Sequence, residues 1–164
     1  MPFTPYHWGP SSWIGLILFR FLDLPTLLVA SVIVDAEPFS VLLLGLNYPL
    51  HGFLHSFLGG SMIAVLTSII MYQLKDVLQN LTAVLKLAQD SSFRKILWTS
   101  FFGVYLHILL DSPLYSDIRP FYPIESNPFY GLISSQQIYL FCSISFLVGT
   151  SLYLFRLFVL KTRK

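Results

Sequence analysis

Three long apolar runs constrain the fold of this chain more than any other feature of its sequence. They cover Leu54–Leu74, Ile96–Asp111 and Ile138–Leu160. Runs of about 18 or more apolar residues have the length of a helix that crosses a bilayer. With 55% hydrophobic and 11% charged residues, the 164-residue chain also lacks the composition of a water-soluble domain. The sequence therefore predicts an all-α integral membrane protein with one membrane-embedded domain over residues 1–164.

Shorter apolar segments precede the first long run. Ser11–Leu22 has a helical pattern, and Pro25–Val34 has about half the length of a span. Phe39–Leu46 follows, and the sequence leaves open whether Pro25–Leu46 spans the membrane or forms a half-span and an interfacial segment. The predicted fold is a compact bundle of about four to five membrane helices, including short half-span segments, with a site at one membrane face.

Two polar segments separate the long runs. Lys75–Lys95 repeats leucine and valine at helical spacing, which predicts an amphipathic helix along the membrane surface. Ser112–Ser135 is rich in proline and aromatic residues, which favours an ordered loop packed at the headgroup level. The single cysteine, Cys142, excludes a disulfide within the chain.

The charged residues separate when the chain is threaded through a bilayer in this way. Only Arg119 of the basic residues falls on one side, and the other side carries Arg20, Lys75, Lys86, Arg94, Lys95, Arg156, Lys161, Arg163 and Lys164. By the positive-inside rule the basic side, with the C-terminus, is cytoplasmic, which predicts a protein of the cell (inner) membrane. No basic segment precedes the first apolar run, so no cleavable signal peptide is expected. Anchoring to the bilayer explains the basic residues, and no nucleic-acid partner is expected.

Seven potential metal ligands fall at the ends of elements on the opposite, non-cytoplasmic face: His7, Asp35, Glu37, His51, His55, His107 and Asp111. His51 and His55 are four residues apart, as are His107 and Asp111, and such pairs share one face of a helix. Because Glu37 precedes a proline, it is expected to leave its helix, so that Asp35 and Glu37 can turn toward one site.

A bound metal ion is the chemistry that these residue types favour. Ionisable groups at membrane depth are costly unless they are paired or functional, and these carboxylates have almost no cationic side chain nearby. A divalent ion would supply that charge, and imidazole with carboxylate but no thiolate suits zinc, manganese or iron. Seven candidates exceed the three ligands of one catalytic zinc, which indicates one to three ions or carboxylates that orient the imidazoles. For each single histidine, a structural or interfacial role is the alternative.

The same motifs resemble a known family. Met1–His7, Val34–Glu37, His51–Ser56 and His107–Asp111 resemble the YdjM-like family of small membrane-bound bacterial and archaeal proteins, described as metal-dependent hydrolases. That family is thought to be similar to zinc-dependent phospholipase C and P1-type nucleases. The resemblance implies that His7, Asp35, His55, His107 and Asp111 are metal ligands, with Glu37 and His51 as further candidates. The chain departs from the family at Glu37, where a second aspartate is common, and it lacks an arginine that often precedes the His-Ser pair.

These features together predict a membrane-bound metal-dependent hydrolase that cleaves a phosphoester of a lipid or lipid-linked substrate at the non-cytoplasmic surface. Water activated by the metal, most simply zinc, is the expected nucleophile, with Glu37 or Asp35 as general base. Arg119 is the candidate for a bidentate phosphate contact, and pairing with Asp117 or Glu125 is its alternative role. Two other functions stay open: a zinc-dependent lipid amidase, since the histidine motifs also resemble the ceramidase-like pattern, and a non-enzymatic metal-stapled membrane scaffold or metal-path component.

Overall fold

A computed structural model describes residues 4–162, and between these residues the chain forms helices and no strand. The all-α prediction is confirmed. The α-helices are α1 (Trp8–Ile17), α2 (Leu24–Ala30), α3 (Ala36–Leu44), α4 (Phe57–Val84), α5 (Phe93–Asp111) and α6 (Ser135–Thr162). Short 3-10 helices over Thr4–His7, Ile33–Asp35 and Phe53–His55 precede α1, α3 and α4.

Helix α2 contacts α1, α4 and α5. Helix α5 packs against both α4 and α2, while α1 packs on α6. Small residues bring the backbones close together. A Cβ atom built on Gly103 of α5 would lie 2.7 Å from the Cβ of Ala30, and one built on Gly9 would overlap the carbonyl oxygen of Cys142. The core between α2, α4 and α5 consists of Ala30, Val34, Ala64, Val104 and Ile108.

Three helical stretches of the described chain are long and apolar enough to cross a membrane: Leu24–Leu44, Phe57–Val84 and Ser135–Thr162. Two of them contain the predicted runs Leu54–Leu74 and Ile138–Leu160 almost completely. The third predicted span, Ile96–Asp111, lies in α5, which is not among the three. Arg94 and Lys95 in its first turn and Asp111 at its last residue shorten its apolar part.

The segment left open by the sequence, Pro25–Leu46, is helical but broken. Asp23 caps α2 by accepting a hydrogen bond from the Thr26 N–H at 2.9 Å, and α2 ends at Ala30. The Asp35 N–H then bonds to the Val32 carbonyl at 3.1 Å, three residues back, before α3 begins. The predicted exit of Glu37 from its helix is wrong. Glu37 lies in the first turn of α3, where a following proline costs little because first-turn N–H groups have no partner in the helix.

Two further predictions about helices are wrong. His51 and His55 do not share a helix, because α4 begins only at Phe57, capped by the Ser56 hydroxyl, which accepts from the Gly59 N–H at 3.0 Å. His55 instead ends the 3-10 helix before α4. Lys75–Lys95 is also not a separate surface helix. Helix α4 continues without interruption to Val84, and the chain turns before α5 with Lys86 at a φ of 57°.

The ends of the bundle differ in chemistry. At one end, the starts of α1 and α6 meet through Tyr6 and Tyr139, and the start of α1 reaches the end of α5. At the other end, the Gln89 amide donates to the carbonyls of Phe19 and Leu22, and the Arg156 guanidinium lies 4.0 Å from the Phe19 ring centre. The four histidines belong to the first end, which we call the histidine end. The second, with Arg20, Lys95 and Arg156, is the basic end.

Candidate metal centre

Four side chains converge at the histidine end: Asp35, His55, His107 and Asp111. They can each offer one ligand atom within 4.8 Å of all the others. The Nε2 atoms of His55 and His107 are 3.4 Å apart. The Asp35 Oδ1 atom lies 3.8 Å from the first and 3.5 Å from the second, and the Asp111 Oδ2 atom lies 3.6 Å from the second.

Several of these spacings are close to those that a metal ion requires. Nitrogen and oxygen ligands sit about 2.0–2.2 Å from zinc, so two ligands at tetrahedral angles lie about 3.3–3.6 Å apart. The side chains of His55, His107 and Asp111 are at most 2% exposed, and that of Asp35 is 15% exposed. This buried cluster could therefore hold a metal ion, and the donor types fit zinc, manganese or iron.

The hydrogen bonds behind the two imidazoles orient them for this task. His55 Nδ1 lies 2.9 Å from Glu37 Oε2, and His107 Nδ1 lies 2.9 Å from the Ser31 carbonyl oxygen. A carbonyl and an ionised carboxylate can only accept, so both Nδ1 atoms carry the proton in this network. In neutral rings the Nε2 lone pairs then face each other across 3.4 Å. A cation between them, a metal ion or a shared proton, would relieve that repulsion.

Glu37 lies behind His55 and outside the group of four. Its Oε2 accepts from His55, and its Oε1 accepts from the Leu54 N–H at 3.0 Å. Both carboxylate oxygens therefore already have donors. This is the position of a carboxylate that fixes the ring and tautomer of a ligating histidine.

His51 also lies outside the group of four, next to His55. Its Nδ1 is 3.0 and 3.1 Å from the two carboxylate oxygens of Asp117, its ring stacks on Tyr115 at 4.0 Å, and its edge faces His55. Burial, followed by the charge on His55, lowers the pKa of His51, although Asp117 opposes both effects. Burial also raises the pKa of Tyr115, so this ring presents a neutral hydroxyl.

His7 occupies the opposite side of the cluster. Its ring stacks on His107 with the centres 4.1 Å apart, and its Nε2 is 3.3 Å from Asp111 Oδ1 without the geometry of a hydrogen bond. Both ring nitrogens and this Asp111 oxygen are buried, and none has a hydrogen-bond partner in the part of the chain that the structure describes. His7 Nε2 and Asp111 Oδ1 still attract each other, whereas His7 Nδ1 is the buried nitrogen that retains capacity for a further ligand.

Arg119 is not part of the cluster. It pairs with Glu125 at 3.0 Å, and both side chains are exposed, at 48% and 78%. Its loop, residues 112–134, is ordered by Asn127, whose amide donates to the carbonyls of Ser112 and Tyr115 at 2.8 and 3.0 Å. The structure thus places Arg119 in the ion pair that was the alternative to a phosphate contact.

The sequence did not predict the groups that lie behind the histidines of this site. The Ser31 carbonyl carries no side-chain signal, and Asp117 and Tyr115 follow no recognisable spacing relative to the histidines. The four clustered side chains also come from distant parts of the chain, and only the fold brings them together. Comparison of the chain with models of protein families, with curated proteins and with solved structures gives no match.

Proposed function

We propose that this chain is an integral membrane protein that binds a divalent metal ion, zinc foremost, through Asp35, His55, His107 and Asp111. We further propose that it is a metal-dependent hydrolase of a phosphoester in a lipid or lipid-linked substrate. One observation carries the metal site: the two Nε2 atoms lie 3.4 Å apart, while each Nδ1 is directed to an oxygen outside the cluster.

Membrane insertion is supported by the surface of the helices. Besides three stretches with the length and hydropathy of a span, the described chain exposes large apolar side chains along them. Leu43, Met62, Leu147 and Phe155 are each more than 60% exposed. A lipid environment covers such side chains, whereas water does not. With the basic end in the cytoplasm, the metal centre is on the non-cytoplasmic side.

The residues around the cluster divide the chemistry between them. A divalent ion at this site would lower the pKa of a water molecule and stabilise the negative charge on a phosphoryl group. Asp35 is the most exposed of the four donors, so we assign it to the rim of the cluster, where its carboxylate would accept a proton from water. Since both Glu37 oxygens already have donors, we assign Glu37 to positioning His55 rather than to the general base.

The phosphoester assignment rests on the resemblance to the YdjM-like family and on Arg119. An exposed ion pair contributes little stability, so a phosphate can replace Glu125 as the partner of Arg119. We expect Arg119→Lys to keep the charge and the metal content but to lose most of the activity on a phosphodiester, because an ammonium cannot offer two parallel donors. The measurement is turnover of a fluorogenic phospholipid, with Glu125→Gln as matched control. Turnover of Arg119→Lys at the parent rate makes Arg119 structural and weakens the phosphoester assignment.

A non-enzymatic metal-stapled scaffold is the second candidate, and one observation favours it. Four protein donors, three of them almost completely buried, resemble the closed coordination of structural zinc sites, in which no position is left for water. In that case the ion joins α5 to the segments before α3 and α4 and does no chemistry.

One set of measurements separates these functions. The detergent-purified protein is analysed for metals by elemental mass spectrometry, before and after chelator, and is assayed on a fluorogenic phospholipid and on a ceramide-type amide. Metal-dependent cleavage of the phospholipid supports the proposal, and cleavage of the amide instead identifies the amidase. Bound metal that raises the thermal unfolding temperature without either activity identifies the scaffold. Protein that binds no divalent ion contradicts all three.

A further inference from the structure

The basic end carries a groove that no part of the proposed chemistry uses. It has a volume of about 550 Å³ and is lined by Leu16, Ile17, Phe19, Arg20, Gln89, Asp90, Lys95 and Arg156. Three cationic side chains from three different segments thus line one open space together with the Asp90 carboxylate, while Asp23 outside the groove also attracts Lys95. The tip of α1, the start of α5 and the last turns of α6 bring them together.

The cations of this groove have few partners of their own. Within residues 4–162, Arg20, Lys95 and Arg156 take part in no ion pair with a carboxylate. The Lys95 ammonium reaches only the Phe19 carbonyl, at 3.5 Å, and the Asp90 carboxylate accepts from the Gln79 amide at 3.4 Å. The Arg156 guanidinium stacks on the Phe19 ring, and its buried Nε has no hydrogen-bond partner. These groups can accept an anion without breaking an existing pair.

An apolar groove continues directly from this basic one. It has a volume of about 340 Å³ and runs between α1 and α6, lined by Leu16, Ile17, Leu152, Phe155, Arg156, Val159 and Leu160. Leu16, Ile17 and Arg156 line both spaces, so an occupant can have an anionic head in one and a hydrocarbon chain in the other. Basic pockets between membrane helices on the cytoplasmic side are known to bind anionic lipid headgroups.

We infer that the basic end holds one anionic phospholipid, with its phosphate against Arg20, Lys95 and Arg156 and an acyl chain along the groove between α1 and α6. This inference rests on the membrane insertion proposed above but not on the hydrolase activity, since the groove lies at the opposite end of the bundle from the metal centre. The lipid is a structural or regulatory ligand there and not the substrate.

Native mass spectrometry of the detergent-purified chain tests this inference, with phosphatidylglycerol, phosphatidylcholine and inorganic phosphate as probes. We expect one phosphatidylglycerol to be retained at least about tenfold more strongly than phosphatidylcholine, since each basic residue near a lipid surface contributes about fivefold. Inorganic phosphate at millimolar concentration should not displace the lipid, because it cannot use the apolar groove. Displacement by phosphate would show a site for the free ion and would overturn the lipid assignment.

The variants are Arg156→Gln and Arg20→Gln, with Arg94→Gln as matched control. Arg94 is an exposed basic residue in the first turn of α5 and lines neither groove. We expect each groove variant to weaken phosphatidylglycerol binding by about fivefold and the control to leave it unchanged. Because Arg20 is exposed, Arg20→Gln remains informative if Arg156→Gln fails to fold. Metal content serves as the independent readout and should stay at the parent value. Equal binding of the two lipids, or equal effects of all three substitutions, would overturn the inference.

Discussion

The two central imidazoles, His55 and His107, are held in different ways. His107 donates to a backbone carbonyl, whose position the helix break before α3 fixes, while His55 donates to the Glu37 side chain. Both rings are completely buried, so neither can turn its Nε2 atom toward water. At the residue scale, the site consists of two Nε2 atoms in fixed positions, with the carboxylates of Asp35 and Asp111 beside them.

Removal of either central imidazole should therefore strongly weaken metal binding. We expect His55→Ala and His107→Ala each to lower metal affinity by more than about 100-fold, which exceeds the usual effect of a residue behind a ligand. The control is His51→Ala, which removes a buried histidine that lies outside the four donors and should cost less. Elemental mass spectrometry and zinc titration measure the effect. Full occupancy in His107→Ala protein would contradict the site as described.

Glu37 should affect metal binding only through its hydrogen bond to His55. Glu37→Gln keeps the shape of the side chain but weakens the acceptor for the Nδ1 proton, so we expect metal affinity to fall by about 10–100-fold in a folded protein. Asp117→Asn, which alters the corresponding acceptor of His51, is the matched control and should have a smaller effect. Zinc titration with a competing chelator measures both. If the two variants lose affinity equally, Glu37 has no special relation to the ion.

At the scale of elements, the contact between α2 and α5 sets the distance from Asp35 to His107. Gly103 allows α5 to approach Ala30, and the 3-10 helix that ends at Asp35 follows α2 directly. The His107–Ser31 hydrogen bond forms across the same interface. The close approach of these two helices is therefore a condition for the cluster, although neither small residue touches it.

A larger residue at Gly103 should damage the site from a distance. Its new Cβ would lie 2.7 Å from the Ala30 Cβ, so we expect Gly103→Val to force α2 from α5, destabilise the fold by about 1–3 kcal/mol and weaken zinc binding. Ala83→Val, at an exposed position of α4, is the control. Thermal unfolding in detergent and zinc titration are the measurements. A variant with parent stability and parent affinity would show that the approach of the helices does not position the ligands.

The sequence predicted some of these elements correctly and others wrongly, for physical reasons. The pair His107 and Asp111 lies in a long apolar run without proline, so its helical spacing survives in α5. The pair His51 and His55 has the same spacing, but Pro49 and Gly52 keep its segment out of the helix. The extension of α4 to Val84 was missed because the polar composition after Lys75 resembles a surface helix. Contacts between distant segments, such as His51 with Asp117, leave no periodic trace in a single sequence.

At the scale of the whole molecule, chemistry is divided between the two ends of the bundle. The histidine end gathers imidazoles and carboxylates, and the basic end gathers arginine, lysine and an amide network around Gln89. In a membrane this polarity favours one orientation, because basic residues stay on the cytoplasmic side. The orientation would in turn decide from which aqueous compartment a metal ion could reach the cluster.

Cysteine labelling tests this orientation. In a Cys142→Ser background, Ser126→Cys in the loop of residues 112–134 should react with a membrane-impermeant maleimide from outside the cell. Thr162→Cys at the end of α6 should react only after permeabilisation. Both positions are exposed, while Cys142 is buried, so the background change removes only a weak reaction. Labelling of both positions from the same side would show that the assigned topology is wrong.

The break between α2 and α3 has a consequence for the order of assembly. In an uninterrupted α-helix the carbonyl of Ser31 would accept from the N–H of Asp35, four residues on. Here the Asp35 N–H donates to the Val32 carbonyl, and the Ser31 carbonyl accepts from His107 Nδ1 instead. Inserted alone, the stretch Leu24–Leu44 would carry an unpaired carbonyl into hydrocarbon, which is costly. In a membrane this stretch would therefore gain stability once α5 is beside it, and the residue that completes it, His107, lies 76 residues after Ser31 in the chain.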